Sequence, residues 1–202
     1  MIVRGGATLK MHWEEGAALK ALQQGKWDYV VLQEQSTLPI TDPATMHKYA
    51  RLFDAEIKQA GAKTIFHLTW ARQHQPENQV KLNDAYFTIA KELKALVAPV
   101  GVAWEKAFKE DAKRVFHTED KSHPNAVGSY MAACVFYALI YEKSPEKLTN
   151  RISSYPVSDS GMVSNVKTEL VNLDKSEAIL IQRIAWQTVK NVKAAAHQFH
   201  GN

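Results

Sequence analysis

Short apolar runs alternate with longer amphipathic stretches along this chain. Tyr29-Val30-Val31-Leu32 is continuous and β-branched, with no polar alternation, which is the pattern of a central strand covered on both faces. Asp42 and Pro43 supply an N-cap and a first-turn proline for a helix whose Tyr49, Leu52, Phe53 and Ile57 fall at helical spacing, up to Gly61. Thr64 to Trp70 reads as the next strand, and a helix is predicted from Asn78 to Ala98, stopped by Pro99. Val100 to Trp104 again looks like a strand. At the start, Met1 to Arg4 reads as the end of a strand running into Gly5-Gly6, and Leu9 to Gln24 as a helix closed by Gly25.

In the second half, Pro124 at a first-turn position opens an apolar helix, Ala126 to Tyr141, that must be largely buried. Thr149 to Leu173 reads as loop with a short helix. Asp174 with Glu177 forms a capping-box-like start to a final helix carrying Ile179, Leu180, Ile184, Ala185 and Val189 on its apolar face. Strands alternating with helices predict βαβ units, hence an α/β fold with a mostly parallel sheet and helices on both faces. A length of 202 residues suits one domain, 1–202.

Composition narrows the function classes. Hydrophobic residues make up 46% and charged residues 23%, enough apolar material for a core and too little charge imbalance for a disordered chain. Lys plus Arg is 25 and Asp plus Glu 21, a net +4, but the two signs are interspersed, as in Lys91, Glu92 and Lys94. That is a solvated surface, and no nucleic-acid footprint is expected. The single cysteine, Cys134, excludes an intrachain disulfide and a multi-cysteine metal site, and no histidine pair has metal-ligand spacing with acidic partners. No metal and no cofactor are predicted. No apolar stretch reaches the roughly 18 residues of a membrane span, and the N-terminus lacks a signal-peptide succession. The compartment is left open, because a secretion signal would lie upstream of Met1.

Four stretches could carry chemistry. In Asp120-Lys121-Ser122-His123 an acid stands three residues before a histidine, in a loop ahead of a buried helix. A histidine general base needs its far ring nitrogen held by an acceptor, and a carboxylate at this spacing can supply it; the alternative is an aspartate that merely caps the following helix. Gln33, Gln35 and Ser36 follow the apolar strand, at the carboxyl end where open α/β sheets bind ligands. An amide there could donate to an oxyanion, or Gln33 to Thr37 could simply satisfy loop backbone groups. Gly5 and Gly6 would let a backbone N–H approach a ligand closely, or form a plain turn. Trp70 and Arg72 offer an aromatic surface and a cation after the next strand, although Trp70 could equally be core. His67, inside a strand, reads as a core residue.

The pairing of WDYVVLQEQS with EDKSHPNAVGSYMAACVFYALIY, together with TWAR, resembles the SGNH (GDSL-like) hydrolase superfamily, in particular a bacterial subgroup whose third block reads Leu-Gln-x-x-Ser. The resemblance runs from about Val3 to Val189. It implies a flavodoxin-like three-layer α/β/α sandwich bearing a serine esterase site, with Asp120 and His123 as two triad members. Gly5 or Gly6 would be the backbone oxyanion donor, with Gln35, or Gln33 in a shifted register, in place of the family's third-block Asn. The substrate implied is a small-molecule carboxylic ester or an acylated carbohydrate.

The superfamily's nucleophilic serine belongs to a Gly-Asx-Ser block ahead of the region matching Gly5-Gly6, so the resemblance implies that strand, helix and serine precede Met1 and are missing from this chain. Ser36 and Ser122 do not sit on a turn of that kind. A sheet without its first strand would expose backbone edges and invite pairing with a second copy as a homodimer. The expectations are therefore an SGNH-type ester hydrolase lacking its nucleophile block in this chain or, alternatively, a non-catalytic relative that binds a carbohydrate or acylated ligand at the same rim.

Overall fold

The computed structural model describes residues 2–158 and 162–198; Met1, with which the expected strand end begins, and His200 lie outside the described residues. The chain forms two compact units, one of Met1–Ala71 with Gln75–Gly101 and one of Arg72–His74 with Val102–Asn202.

The first unit holds helices α1 (Leu9–Glu15), α2 (Ala17–Gln24), α3 (Leu38–Thr41), α4 (Pro43–Gln59) and α5 (Gln79–Leu93), with strands β1 (Tyr29–Leu32), β2 (Lys63–His67) and β3 (Leu96–Ala98). The strands make a parallel sheet in the order β1-β2-β3, with Tyr29 opposite Lys63, Leu32 opposite Phe66, and Ile65 opposite Leu96. Parallel neighbours need a crossover, and α4 and α5 provide the two that the alternating pattern implied. The fold class is α/β, in agreement with the three-layer α/β/α reading. Ile65 and Phe66 of the middle strand are fully buried, as are Met46 and Ile57 from α4 and Leu82, Tyr86 and Ile89 from α5. Each such side chain contributes roughly 1.5–3 kcal/mol by leaving water. Asp42 caps α4 by accepting the Thr45 N–H at 3.0 Å, as its place before Pro43 suggested. Buried Asp54 accepts the Thr64 hydroxyl at 2.7 Å and so fastens α4 to β2.

The second unit contains most of α6 (Val100–Glu110, from Val102 on), then α7 (Ala126–Tyr141), the antiparallel pair β4 (Arg151–Ser154) and β5 (Thr168–Asn172), and α8 (Lys175–Gln198). Helix α7 is apolar all round and packs on α8, and Met131, Cys134, Val135 and Ala138 are buried along with Ile181, Ile184, Ala185 and Val189. Trp104 meets the rings of Phe108, Phe116 and His117 edge-on at 5.0 to 6.2 Å between centroids.

Several expectations need correction. Residues 2–4 form no strand. The helix expected over Leu9 to Gln24 is broken at Gly16, whose φ of 73° is left-handed and ends α1 before α2 begins. Strand β1 is not central: among the described residues it pairs on one side only, and Val31 is 47% exposed. The run Val100 to Trp104 is helical. Pro99 stands just before a helix rather than stopping one, and the strand is the three-residue Leu96–Ala98. Pro124 lies outside α7, bridging to His117, and Asn125 is the N-cap, accepting the Gly128 N–H at 2.9 Å. Where loop and a short helix were expected between Thr149 and Leu173, the chain forms β4 and β5.

Candidate active site

In the second unit, the loop from His117 to Asn125 holds the Asp-x-x-His pair. Antiparallel bonds close its neck: Thr118 N–H donates to the His123 carbonyl at 2.8 Å, and Asn125 N–H to the Phe116 carbonyl at 2.8 Å. Lys121 turns the chain at φ 61°, a left-handed conformation that costs a non-glycine residue about 1 kcal/mol. Asp120 organises the turn from within. Its Oδ1 accepts the Thr118 hydroxyl at 2.8 Å, the Ser122 N–H at 2.8 Å and the His123 N–H at 2.9 Å, while Oδ2 is hydrogen-bonded to His123 Nδ1. The His123 ring, followed by these backbone and hydroxyl donors, holds the Asp120 carboxyl well below the usual carboxylate range. With Nδ1 engaged, Nε2 is the ring nitrogen left to face a reactant, and the side chain is 78% exposed. This is the geometry of an oriented general base.

Arg72 is placed with this loop. Its neighbour Gln73 donates its N–H to the Lys121 carbonyl at 2.9 Å, which ties the Arg72–His74 segment to the residue between Asp120 and His123. Arg72 is half-buried, and its Nε is buried without a hydrogen-bond partner among the described residues.

The remaining candidates lie in the first unit. Gly5 and Gly6 are exposed in a turn closed by Ala7 N–H donating to the Arg4 carbonyl at 3.2 Å, and Gly6 has φ 69°, which favours glycine. No side chain crowds either position. Of the two glutamines, Gln33 is exposed and Gln35 half-buried. Gln35 Oε1 accepts the Thr37 N–H at 2.8 Å, the Thr37 hydroxyl at 2.9 Å and the Leu38 N–H at 3.0 Å, thereby capping α3. Three donors on one oxygen fix the amide, and its NH₂ is left for other partners. Ser36 is half-buried beside it. Trp70 is half-buried and lies edge-on to His67, with centroids 6.1 Å apart. The chain around it is held by buried Gln79, whose Oε1 accepts the Ala71 N–H at 2.8 Å and whose Nε2 donates to the Thr69 carbonyl at 3.2 Å. The expected residues thus fall into two groups, Arg72 with Asp120 and His123 in the second unit, and Gly5, Gly6, Gln33, Gln35, Ser36 and Trp70 in the first.

Two contributors were not singled out from sequence. Gln79 reaches back from the start of α5, and buried Glu34 lies between the two glutamines; each stands among polar neighbours, so neither gives a local signal in the sequence.

Among the described residues no group of His, Cys, Asp and Glu is arranged to hold a metal ion, and no helix is long and apolar enough to cross a membrane. No family model matches the chain, and no curated protein matches it. A solved structure does: a candidate SGNH hydrolase from Slackia heliotrinireducens, 27% identical, with 68% of this chain and 81% of that one aligned at a TM-score of 0.60. Fold and sequence together relate the chain to the SGNH hydrolase superfamily.

Proposed function

We propose that this chain is the body of an SGNH-type serine ester hydrolase acting on small carboxylic esters or O-acylated carbohydrates. The observation that carries the reading is the Asp120 carboxylate on His123 Nδ1, with the same carboxylate fixing the His123 backbone. In this reading His123 Nε2 takes the proton of a serine hydroxyl as the serine oxygen bonds to the ester carbonyl carbon. The proton then passes to the departing alkoxide. Water repeats the sequence on the acyl-enzyme and releases the carboxylic acid. The Gly5 or Gly6 N–H and the Gln35 amide would stabilise the oxyanion, and the capping role of its Oε1 favours Gln35 over Gln33.

The 202 residues contain no Gly-Asp-Ser or Gly-Asn-Ser. The proposal accordingly assigns the nucleophile to a block outside them, and the product of the complete reading frame is the species to assay. A fluorophosphonate should form one stoichiometric adduct with that product, on a serine in such a block, and leave the 202-residue chain unlabelled. A folded product that takes no adduct would defeat the hydrolase reading. The second reading, a binding relative, is favoured by half-buried Arg72 beside the Asp120–His123 loop, a cation whose Nε has no hydrogen-bond partner among the described residues. It would be upheld by saturable binding of an acylated sugar to the unlabelled protein that is lost in Arg72→Leu.

A further inference from the structure

Glu34 has no part in the roles assigned above, although it occupies the strand exit between Gln33 and Gln35. It is a carboxyl side chain only 1% exposed. Its Oε1 accepts two backbone donors, the Leu9 N–H at 3.1 Å and the Gln35 N–H at 2.7 Å, and its own N–H donates to the Tyr86 hydroxyl oxygen at 3.2 Å. Oε2 is buried and has no hydrogen-bond partner among the described residues. Burying a carboxyl with one oxygen unsatisfied costs free energy, and a residue that only had to fill the space would be apolar.

The two donors identify what the carboxyl does. Leu9 is the first residue of α1, three positions beyond Gly6, and Gln35 is the amide placed at the end of β1. Leu9 and Glu34 are 25 residues apart in sequence, so a single oxygen atom joins two distant segments, each of which offers a candidate oxyanion donor. Around this joint, Thr8 caps α1 by accepting the Met11 N–H at 3.1 Å and Gln35 caps α3, so both segments are also locked into their own helices. Movement of the glycine turn away from Gln35 would have to stretch a bond to Glu34 Oε1.

We propose that Glu34 is a positioning residue: its carboxyl oxygen ties the Gly5–Leu9 turn to Gln35 and so sets the spacing between the backbone and side-chain donors of the oxyanion site. Donors must be in place before charge develops, since mobile donors spend their interaction energy on reorganisation. Burial favours the protonated carboxyl, which lessens the cost of the orphaned Oε2. The inference rests on the hydrolase reading for its catalytic consequence, but the tether itself is a property of the fold.

Glu34→Gln keeps an acceptor at Oε1, and Glu34→Ala removes it. Amide hydrogen exchange and p-nitrophenyl acetate turnover, both on the product of the complete reading frame, test the idea. In Glu34→Ala the Leu9 and Gln35 amides should each exchange roughly ten-fold faster. In the same variant kcat should fall about 100-fold, with KM within roughly two-fold. Glu34→Gln should recover both readings to within about three-fold. Unchanged exchange at either amide in folded Glu34→Ala would overturn the tether, as would an equal loss of kcat in Glu34→Gln. If Glu34→Ala does not fold, Glu34→Asp, which draws the acceptor back by one methylene, takes its place in the same comparison. A wild-type protein without turnover would count against the hydrolase reading, and exchange alone would then decide the tether.

Discussion

Asp120 holds His123 at two points at once, the backbone N–H through Oδ1 and ring Nδ1 through Oδ2. One carboxylate thereby sets both where the histidine sits and which nitrogen it presents. Asp120→Asn keeps a side chain of the same size but loses the anionic acceptor that selects the tautomer. In the hydrolase reading its kcat should fall about 10⁴-fold with little change in KM, and His123→Ala should do at least as much harm. Ester turnover measured on the product of the complete reading frame checks this, and activity within ten-fold of wild type in either variant would remove the residue from the mechanism.

The same contact predicts a pH response. The Asp120 carboxyl titrates below its ordinary value because the His123 ring and three further donors favour the ionised form. Whatever stability it adds is present above the ordinary carboxylate pKa of about 3.9 and is lost only as pH falls through the depressed value. The His123 and Ser122 amide resonances should therefore keep their hydrogen-bonded shifts to pH values below that ordinary figure. A midpoint at or above it, read by NMR titration, would show that the turn is not held as described.

How much of this was legible in the sequence depended on how local each cause was. The Asp120–His123 pair could be read because its geometry is set within one turn of chain. Helix α7 was read to the residue because sixteen apolar or small positions leave no other element. Helix α4 was legible from Asp42-Pro43. The stretch around Pro99 was not: a three-residue strand is too short to show a period, and the apolar run Val100 to Trp104 after a proline suits a helix start as well as a strand. β4 and β5 escaped notice because only Val171 among their residues is buried, so no alternation marks them. Glu34 lay in plain view in the motif, but its partners Leu9 and Tyr86 lie 25 and 52 residues away. Nothing local signals a contact of that range.

Glu34 should also affect stability, in the opposite direction from Asp120. Burial, partly offset by the Gln35 and Leu9 N–H bonds, raises its pKa, so the folded state prefers the protonated acid. That preference stabilises fully below the unfolded carboxylate pKa and fades as pH rises through the raised folded value. Glu34→Gln replaces the acid with a neutral isostere. Its Tm should exceed that of wild type at neutral pH, and the gap should close toward pH 4. A constant gap across that range, measured by calorimetry, would mean that Glu34 is ionised without penalty.

His67 gives a third slope. Burial lowers its pKa to about 4, so the folded protein keeps it neutral while the unfolded chain takes up a proton near pH 6.5. Stability is therefore lost progressively as pH falls from 6.5 toward 4. A shift of this size corresponds to roughly 3 kcal/mol across the window. His67→Gln, which cannot titrate there, should flatten this part of the stability profile even if it lowers Tm overall. An unchanged slope in urea unfolding between pH 6.5 and 4 would assign the loss to other groups.

Cys134 reports on the packing of α7 against α8. Its thiol is 2% exposed, and burial, slightly relieved by Tyr130, pushes its pKa up to about 12. Alkylation needs the thiolate, and a buried thiol at this pKa supplies almost none at pH 8. It also needs access, which here requires parts of the second unit to open. Iodoacetamide at pH 8 should thus leave the native protein unmodified over hours and label it stoichiometrically in urea. A Cys134→Ala variant should remove all labelling and cost about 1 kcal/mol or somewhat more through the small cavity it leaves. Rapid labelling of the native protein, followed by intact mass, would show that α7 does not lie against α8 as closely as the burial of Cys134, Ala138 and Ile184 requires.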